Sequence, residues 1–359
     1  MKLALLLFLV VATTIAAMAQ PFKVARPLGL IEPDIPLDRP LTPELVDLGK
    51  KLFFDSSLSR TGTTSCATCH DPKFGYADPR PRSISDGGLI QDRNAPSLYN
   101  VGFLPSVMWD GRFRTLDDQV LDAFNDNGEM GRNVDDAVSA LKSNPEYVAL
   151  FRQVFNEDPT AENLAAAVAS FERTLVAGNS PFDYYLFGEN ERALTSLETT
   201  GLEVFSTKGG CLNCHDVFHP KFNTLGGGLA LFSDFRYHNL GVGYQWGRFR
   251  DPGRYEWSRD ASEWGEFRTP FLRNLTLTAP YMHDGSMATL DEVVDFYNRG
   301  GNPNPNLSPS VHPLYLTSSE KAALVAFLKS LTSPEAETVA HDAGTLIRPW
   351  YQKATKSNK

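Results

Sequence analysis

The chain has 359 residues, 42% hydrophobic and 21% charged, which suits two globular domains or one large one with insertions. Its formal charge is −9, and no basic stripe is present to neutralise phosphates, which excludes nucleic acid as a partner. Beyond the N-terminus no stretch approaches the ~20 apolar residues that a membrane span requires.

Met1 to Ala19 reads as a secretory signal. Lys2 is followed by the apolar run Leu3–Ala12 and by an A-x-A site at Ala17-Met18-Ala19. An uncleaved anchor is the competing reading, and the A-x-A site with Pro21 close behind favours cleavage. Thr42 to Phe54 has the spacing of a short helix, and it leads into Cys66-Ala67-Thr68-Cys69-His70. The segment Asp71–Asn94 is rich in Pro, Gly, Arg and Asp and reads as a loop. Helices are expected over Thr115–Asn125, with Thr115 as N-cap, then Val134–Ser143, Glu146–Phe155 and Ala161–Val176. Gly178-Asn179-Ser180-Pro181 stops the last of these and marks a domain boundary. A further helix from Arg192 to Phe205 delivers Cys211-Leu212-Asn213-Cys214-His215. Loop-rich sequence follows from Asp216 to Met287, then helices over Leu290–Asn298 and Ser318–Leu331, the latter with Glu320 in a capping position. Little reads as strand, so the class is mainly α. The organisation is a signal over 1–19, a first domain over 20–180, a second over 181–332, and a loosely held tail over 333–359.

The two C-x-x-C-H stretches use all four cysteines. Each is the attachment signature of a c-type haem, in which two thiols bond one porphyrin and the adjacent His becomes an axial iron ligand. A zinc site or a redox dithiol also uses C-x-x-C, but neither needs a His after the pair or two copies of the motif. Two covalent haems therefore fit best, with His70 and His215 as iron ligands. Haem of this type is attached outside the cytoplasm, which agrees with the signal and with a periplasmic location. An acidic surface suits docking of a basic redox protein, although solubility alone also explains it.

The halves repeat one another. Gly49-x-x-x-Phe53 precedes the first motif and Gly201-x-x-x-Phe205 the second. Downstream, Ala95-Pro96-Ser97-Leu98-Tyr99-Asn100 aligns with Thr269-Pro270-Phe271-Leu272-Arg273-Asn274. Asp110-Gly111 aligns with Asp284-Gly285 at the same offset of 174. Two copies of a mono-haem unit explain this. In that register Tyr297 of the second half corresponds to Ala123 of the first. A sixth ligand makes an electron-transfer iron, and an open position makes a site for peroxide chemistry. Tyr297 would close the second iron and Ala123 would leave the first open. Met282, His283 and Met287 are rival ligands, and a core aromatic is the plainer reading of Tyr297. No histidine lies between His70 and His215, although Met108 and Met130 remain possible ligands of the first iron. Peroxide cleavage needs a group that moves a proton, and without a His a carboxylate is next. Glu129, among glycines after the helix that carries Ala123, is the candidate, with Gln119 beside it; a solvated surface Glu is the alternative. Trp109 precedes Asp110-Gly111 and could carry an electron between haems or simply fill core volume.

These residues resemble the bacterial di-haem cytochrome c peroxidase and MauG superfamily. The resemblance runs from about Pro40 to Leu331. It rests on Leu58-Ser59-Arg60-x-Gly62-x-x-Ser65-Cys66, Arg93-Asn94-x-Pro96, Trp109-Asp110-Gly111-Arg112, Glu129-Met130-Gly131 and Pro280-Tyr281-x-His283-Asp284-Gly285. It implies two cytochrome c-like helical domains around two haems and one calcium ion. By motif, Glu129 is the catalytic glutamate, Gln119 the distal glutamine and Trp109 the inter-haem tryptophan. The calcium ligands it implies are the Asn94 side chain and the carbonyls of Thr278 and Pro280, with water completing the set. The missing distal His and Tyr297 in place of the usual Met point to the MauG-like branch. Two departures stand out: Gly209 replaces the tryptophan that MauG uses for long-range oxidation, and Ala123 replaces a family proline. The expected activity is reduction of hydrogen peroxide with electrons from a small c-type cytochrome or a copper protein. A MauG-like oxidation of a protein substrate and a non-catalytic electron carrier are the alternatives.

Overall fold

The computed structural model describes residues 21–124, 128–217 and 230–346. The expected signal over 1–19 and the end of the tail lie outside them. Helix α1 (Pro43–Phe53) starts where Thr42 accepts the Leu45 N–H, with Pro43 in its first turn and Lys50 and Lys51 in its last. Its buried face carries Leu45, Leu48 and Leu52 at helical spacing, with Phe53 beside them. Leu52 and Phe53 are completely buried, which stabilises the fold by roughly 1.5–3 kcal/mol for each side chain. After α2 (Cys66–Cys69) come α3 (Leu116–Asp122), α4 (Val134–Lys142), α5 (Pro145–Phe155) and the alanine-rich α6 (Ala161–Glu172), buried from Leu164 to Glu172.

The α1 and α6 backbones cross so closely that a Cβ on Gly49 would lie 1.9 Å from the Ala167 carbonyl oxygen. The second half has α7 (Pro181–Leu186), α8 (Ser196–Ser206), α9 (Tyr255–Ser258), α10 (Leu290–Asn298), α11 (Ser318–Lys329) and α12 (Pro334–Leu346). There α8 crosses α11 in the same way: a Cβ on Gly201 would meet the Ala323 carbonyl oxygen at 2.0 Å. Thr115 and Thr289 cap α3 and α10 with nearly equal backbone angles. The turns before them are closed by matching bridges, Val107 with Phe113 and Tyr281 with Met287. Met108 and Met282 both sit at φ +72° in these turns.

Four two-residue strands lie in the loop-rich part of the second half. Tyr237–His238 (β1) pairs antiparallel with Phe267–Arg268 (β4), and Tyr244–Gln245 (β2) with Arg248–Phe249 (β3). The Arg268 N–H donates to the Trp109 carbonyl at 2.8 Å, joining the halves edge to edge. No helix among the described residues is long and apolar enough to cross a membrane.

Two expectations need correction. The stretch after Gly178 is more than a stop: Ser180 caps α7, and its side chain and that of Asp183 form a capping box. The residues beyond Thr332 do not form a loose tail throughout. Up to Leu346 they make α12, whose Ala336 is buried in the first half's core with Val339 packed beside it. Pro334 at the helix start and small buried residues at Ala336 and Ala343 account for the docking.

Candidate active site

In the first half, Ser65 and Thr68 cap the short helix α2, which holds Cys66 and Cys69 one turn apart. Burial pushes both thiols up, Cys69 to about 11, so neither is a free reactive thiolate. The Nδ1 atom of His70 lies 3.0 Å from the Tyr76 carbonyl. A carbonyl only accepts, so Nδ1 carries the proton and Nε2 keeps its lone pair. Burial lowers the His70 pKa, which keeps the imidazole in the neutral form that binds iron.

A cavity of about 630 Å³ is lined by His70, Met108, Trp109, Arg112, Gln119 and Glu129, among others. The structure therefore brings together His70, Trp109, Gln119 and Glu129, with Met108 beside them, all singled out in the sequence. Met130, by contrast, is buried in the core and does not line this cavity. The Glu129 carbonyl accepts the Asp86 N–H at 2.8 Å, and the Asp86 carboxylate accepts the Thr61 N–H at 2.9 Å. Burial holds the Glu129 carboxyl above the usual carboxylate range, Asp122 adds to this and Arg112 opposes it.

A second cavity of about 250 Å³ is lined by Cys211, Cys214, His215 and Tyr297 within apolar walls such as Phe205 and Leu324. His215 Nδ1 lies 2.8 Å from the Phe232 carbonyl, the counterpart of the His70 arrangement. Tyr76 and Phe232, whose carbonyls accept in these contacts, both adopt left-handed backbone, at φ +56° and +59°. Burial pushes the Tyr297 phenol up, with the neighbouring Cys211 and Cys214 acting in the same direction. Met282 and His283 also line this cavity, as does His312, which sequence reasoning missed.

Asn94, Thr278 and Pro280 share the wall of the second cavity. The Asn94 amide nitrogen donates to the carbonyls of Asp78 (3.1 Å) and Arg80 (2.8 Å), which fixes the orientation of its side chain. Among the described residues, one group of His, Cys, Asp and Glu has ligand atoms mutually within 4.8 Å, namely Cys214, Asp234 and His238. It lies apart from those three residues in sequence, and its sulfur belongs to the second C-x-x-C-H motif.

Trp109, His283 and Arg268 are among the residues that line both cavities. Trp109 lines both, and its Nε1 donates to the Asn94 carbonyl at 2.9 Å. His283 stacks on Phe267, with ring centroids 3.6 Å apart, and stands edge-on to Trp109 at 6.5 Å. Arg268 lines both cavities and is 5% exposed, and among the described residues its guanidinium donates only to the carbonyls of Met108 (3.4 Å) and Thr269 (3.2 Å). Burial brings its pKa down to about 10. A buried cation without a carboxylate partner costs several kcal/mol, roughly, unless an anion meets it. Porphyrin propionates are such anions, and with two neutral imidazoles and two thiol pairs these walls fit two c-type haems.

Comparison with known proteins agrees. A family model described as di-haem cytochrome c peroxidase matches residues 43–191. The methylamine utilization protein MauG of Methylorubrum extorquens is 37% identical over 305 residues, 84% of this chain and 82% of that protein. The cytochrome-c peroxidase IdrP2 of Denitromonas iodatirespirans is 37% identical over 324 residues, covering 83% and 84% respectively. The chain belongs to the di-haem cytochrome c peroxidase family. The crystal structure of a MauG-like protein associated with microbial copper homeostasis superposes with a TM-score of 0.78 at 31% identity, covering 88% of this chain and 97% of that one. The protein is thus an oxidoreductase that acts on peroxide, and its family implies two c-type haems.

Proposed function

We propose that this protein is a periplasmic, MauG-like di-haem peroxidase whose two halves, 20–180 and 181–332, are copies of one mono-haem unit. The observation that carries the reading is the convergence of His70, Gln119, Glu129 and Trp109 on one cavity. Cys66, Cys69 and His70 would hold the first haem. Cys211, Cys214, His215 and Tyr297 would hold the second. Arg268 meets the propionates. A c-type haem supplies a redox-active iron that takes up the two oxidising equivalents of hydrogen peroxide. Glu129 accepts a proton from the incoming peroxide and returns it to the departing oxygen. Its raised pKa suits both roles, because it exchanges protons nearer neutral pH than an ordinary carboxylate. Gln119 orients the peroxide by hydrogen bonding. Trp109 conducts electrons between the cavities. One calcium ion held by Asn94, Thr278 and Pro280 stiffens the wall that they share.

The electrons come from a small c-type cytochrome or a copper protein. A MauG-like protein substrate is the second reading, favoured by Tyr297 and by the relative named MauG. Gly209 weighs against MauG's own route: a Cβ there would lie 2.8 Å from the Val204 carbonyl and 3.1 Å from Cys211 Sγ, so no side chain fits. EPR of the ferric protein tests the reading. One high-spin and one low-spin centre are expected, and two low-spin centres would leave only an electron carrier. Rapid turnover with reduced small cytochromes or copper proteins after peroxide treatment supports the peroxidase role over protein maturation.

A further inference from the structure

We propose that Trp257 is a second oxidation site, on the surface, where aromatic one-electron donors too bulky for the first cavity are oxidised. The proposal rests on the peroxidase reading above. Trp257 lies in α9 and is 55% exposed, so the indole is reached from solvent. Its Nε1 donates to Asp110 Oδ2 at 2.9 Å. Asp110 is fully buried and directly follows Trp109, the indole that lines both cavities. One residue's covalent bonds and one hydrogen bond therefore separate the surface indole from the interior one.

The electrostatics of the contact favour loss of an electron at Trp257. Asp110 also accepts from Arg93 at 2.5 Å and Arg112 at 3.3 Å, and the Arg112 guanidinium lies 5.4 Å from the Trp257 ring. Those two cations alone would oppose a positive indole. Each has a further carboxylate, however: Asp251 receives Arg93 at 2.6 Å, and Asp122 receives Arg112 at 3.1 Å. Two guanidiniums against three carboxylates leave the cluster at −1, and Arg254, which donates to the Asp110 carbonyl, is matched by Glu263 at 3.0 Å. A carboxylate hydrogen-bonded to the N–H in a water-poor setting stabilises the cation formed there.

The electron count closes. Hydrogen peroxide takes two electrons and two protons and leaves as two waters. Each electron passes from Trp257 by way of Asp110 and Trp109 to the oxidised enzyme, while the indole keeps its N–H bonded to Asp110. A one-electron aromatic donor at the surface then restores the indole, and two donor molecules are oxidised per peroxide.

Trp246 is the built-in control. It is 90% exposed, in the turn between β2 and β3, and has no bond to the Asp110 cluster among the described residues. The holoprotein treated with peroxide without a reductant should gain oxygen at Trp257 severalfold more than at Trp246 in peptide mass mapping. With the bulky dye ABTS as donor, Trp257→Phe should lose about tenfold in kcat/KM, whereas Trp246→Phe should not. The Soret response to peroxide should be the same in both variants. Equal oxygen gain at the two tryptophans, or wild-type dye kinetics in Trp257→Phe, would overturn the proposal alone. Haems that give no Soret response to peroxide in the wild type would overturn the peroxidase reading, and this proposal with it.

Discussion

The two halves share a scaffold and differ in what they enclose. Both cross two helices at a glycine, both point an imidazole Nδ1 at a main-chain carbonyl, and both cap the helix over the cavity with a threonine. Yet the first cavity is about 630 Å³ with Gln119, Glu129 and Arg112 in its wall, and the second is about 250 Å³ with Tyr297 among apolar side chains. The helix over the first cavity ends at Asp122, with Ala123 as its C-cap, whereas Tyr297 lies within its counterpart. The halves thus differ in the side chains set on a similar frame.

Substitutions can break this contrast. Glu129→Gln should have the largest effect, slowing the reaction with peroxide by ~10²-fold or more while both haem spectra persist. Stopped-flow rates equal to wild type would remove Glu129 from the chemistry. Next, Tyr297→Met should raise the potential of the second haem by on the order of 0.1 V and leave the first unchanged. A redox titration with both potentials at wild-type values would reject the ligand assignment.

Gly49→Ala and Gly201→Ala address the shared frame instead. Each added methyl would strike a carbonyl oxygen at about 2 Å, so each should cost about 1–3 kcal/mol in denaturant unfolding. That cost persists after the roughly 1 kcal/mol that Ala gains over Gly in a helix. A large loss in one variant and none in the other would deny that the frames are equivalent.

The smallest effect concerns Glu172, a buried carboxyl of α6 whose Oε2 has no hydrogen-bond partner among the described residues. Burial pushes its pKa up to about 8 in the folded state, well above the ordinary value of 4.5. The folded form therefore holds the proton more tightly, and stability should fall as pH rises from about 4.5 to about 8. Glu172→Gln cannot ionise and should flatten that decline in melting temperature; parallel wild-type and variant profiles would contradict it.

Much of this was legible in the sequence because it is local. Helix starts at Thr42, Thr115, Thr289 and Thr317 announce themselves through side chains that bond their own backbone within three residues. The two C-x-x-C-H motifs are likewise contiguous. Ser180-Pro181 was harder, since α6 already ends at Glu172 and Ser180 opens a helix of only six residues. Helix α12 was missed because its anchor is two small alanines in a charged stretch, a weak periodic signal. The Asp110 cluster was illegible for a different reason: Arg93 reaches Asp251 across 158 residues, and Trp257 reaches Asp110 across 147. Arg268 gave no signal either, because an unpaired cation is recognised only once its surroundings are known.

The carbonyls that hold His70 and His215 belong to the main chain of Tyr76 and Phe232. Changing either side chain cannot delete the acceptor, so no single codon change there can release the ring, whereas a carboxylate in that role could be lost in one step. A neutral acceptor also leaves each imidazole less electron-rich than a carboxylate would.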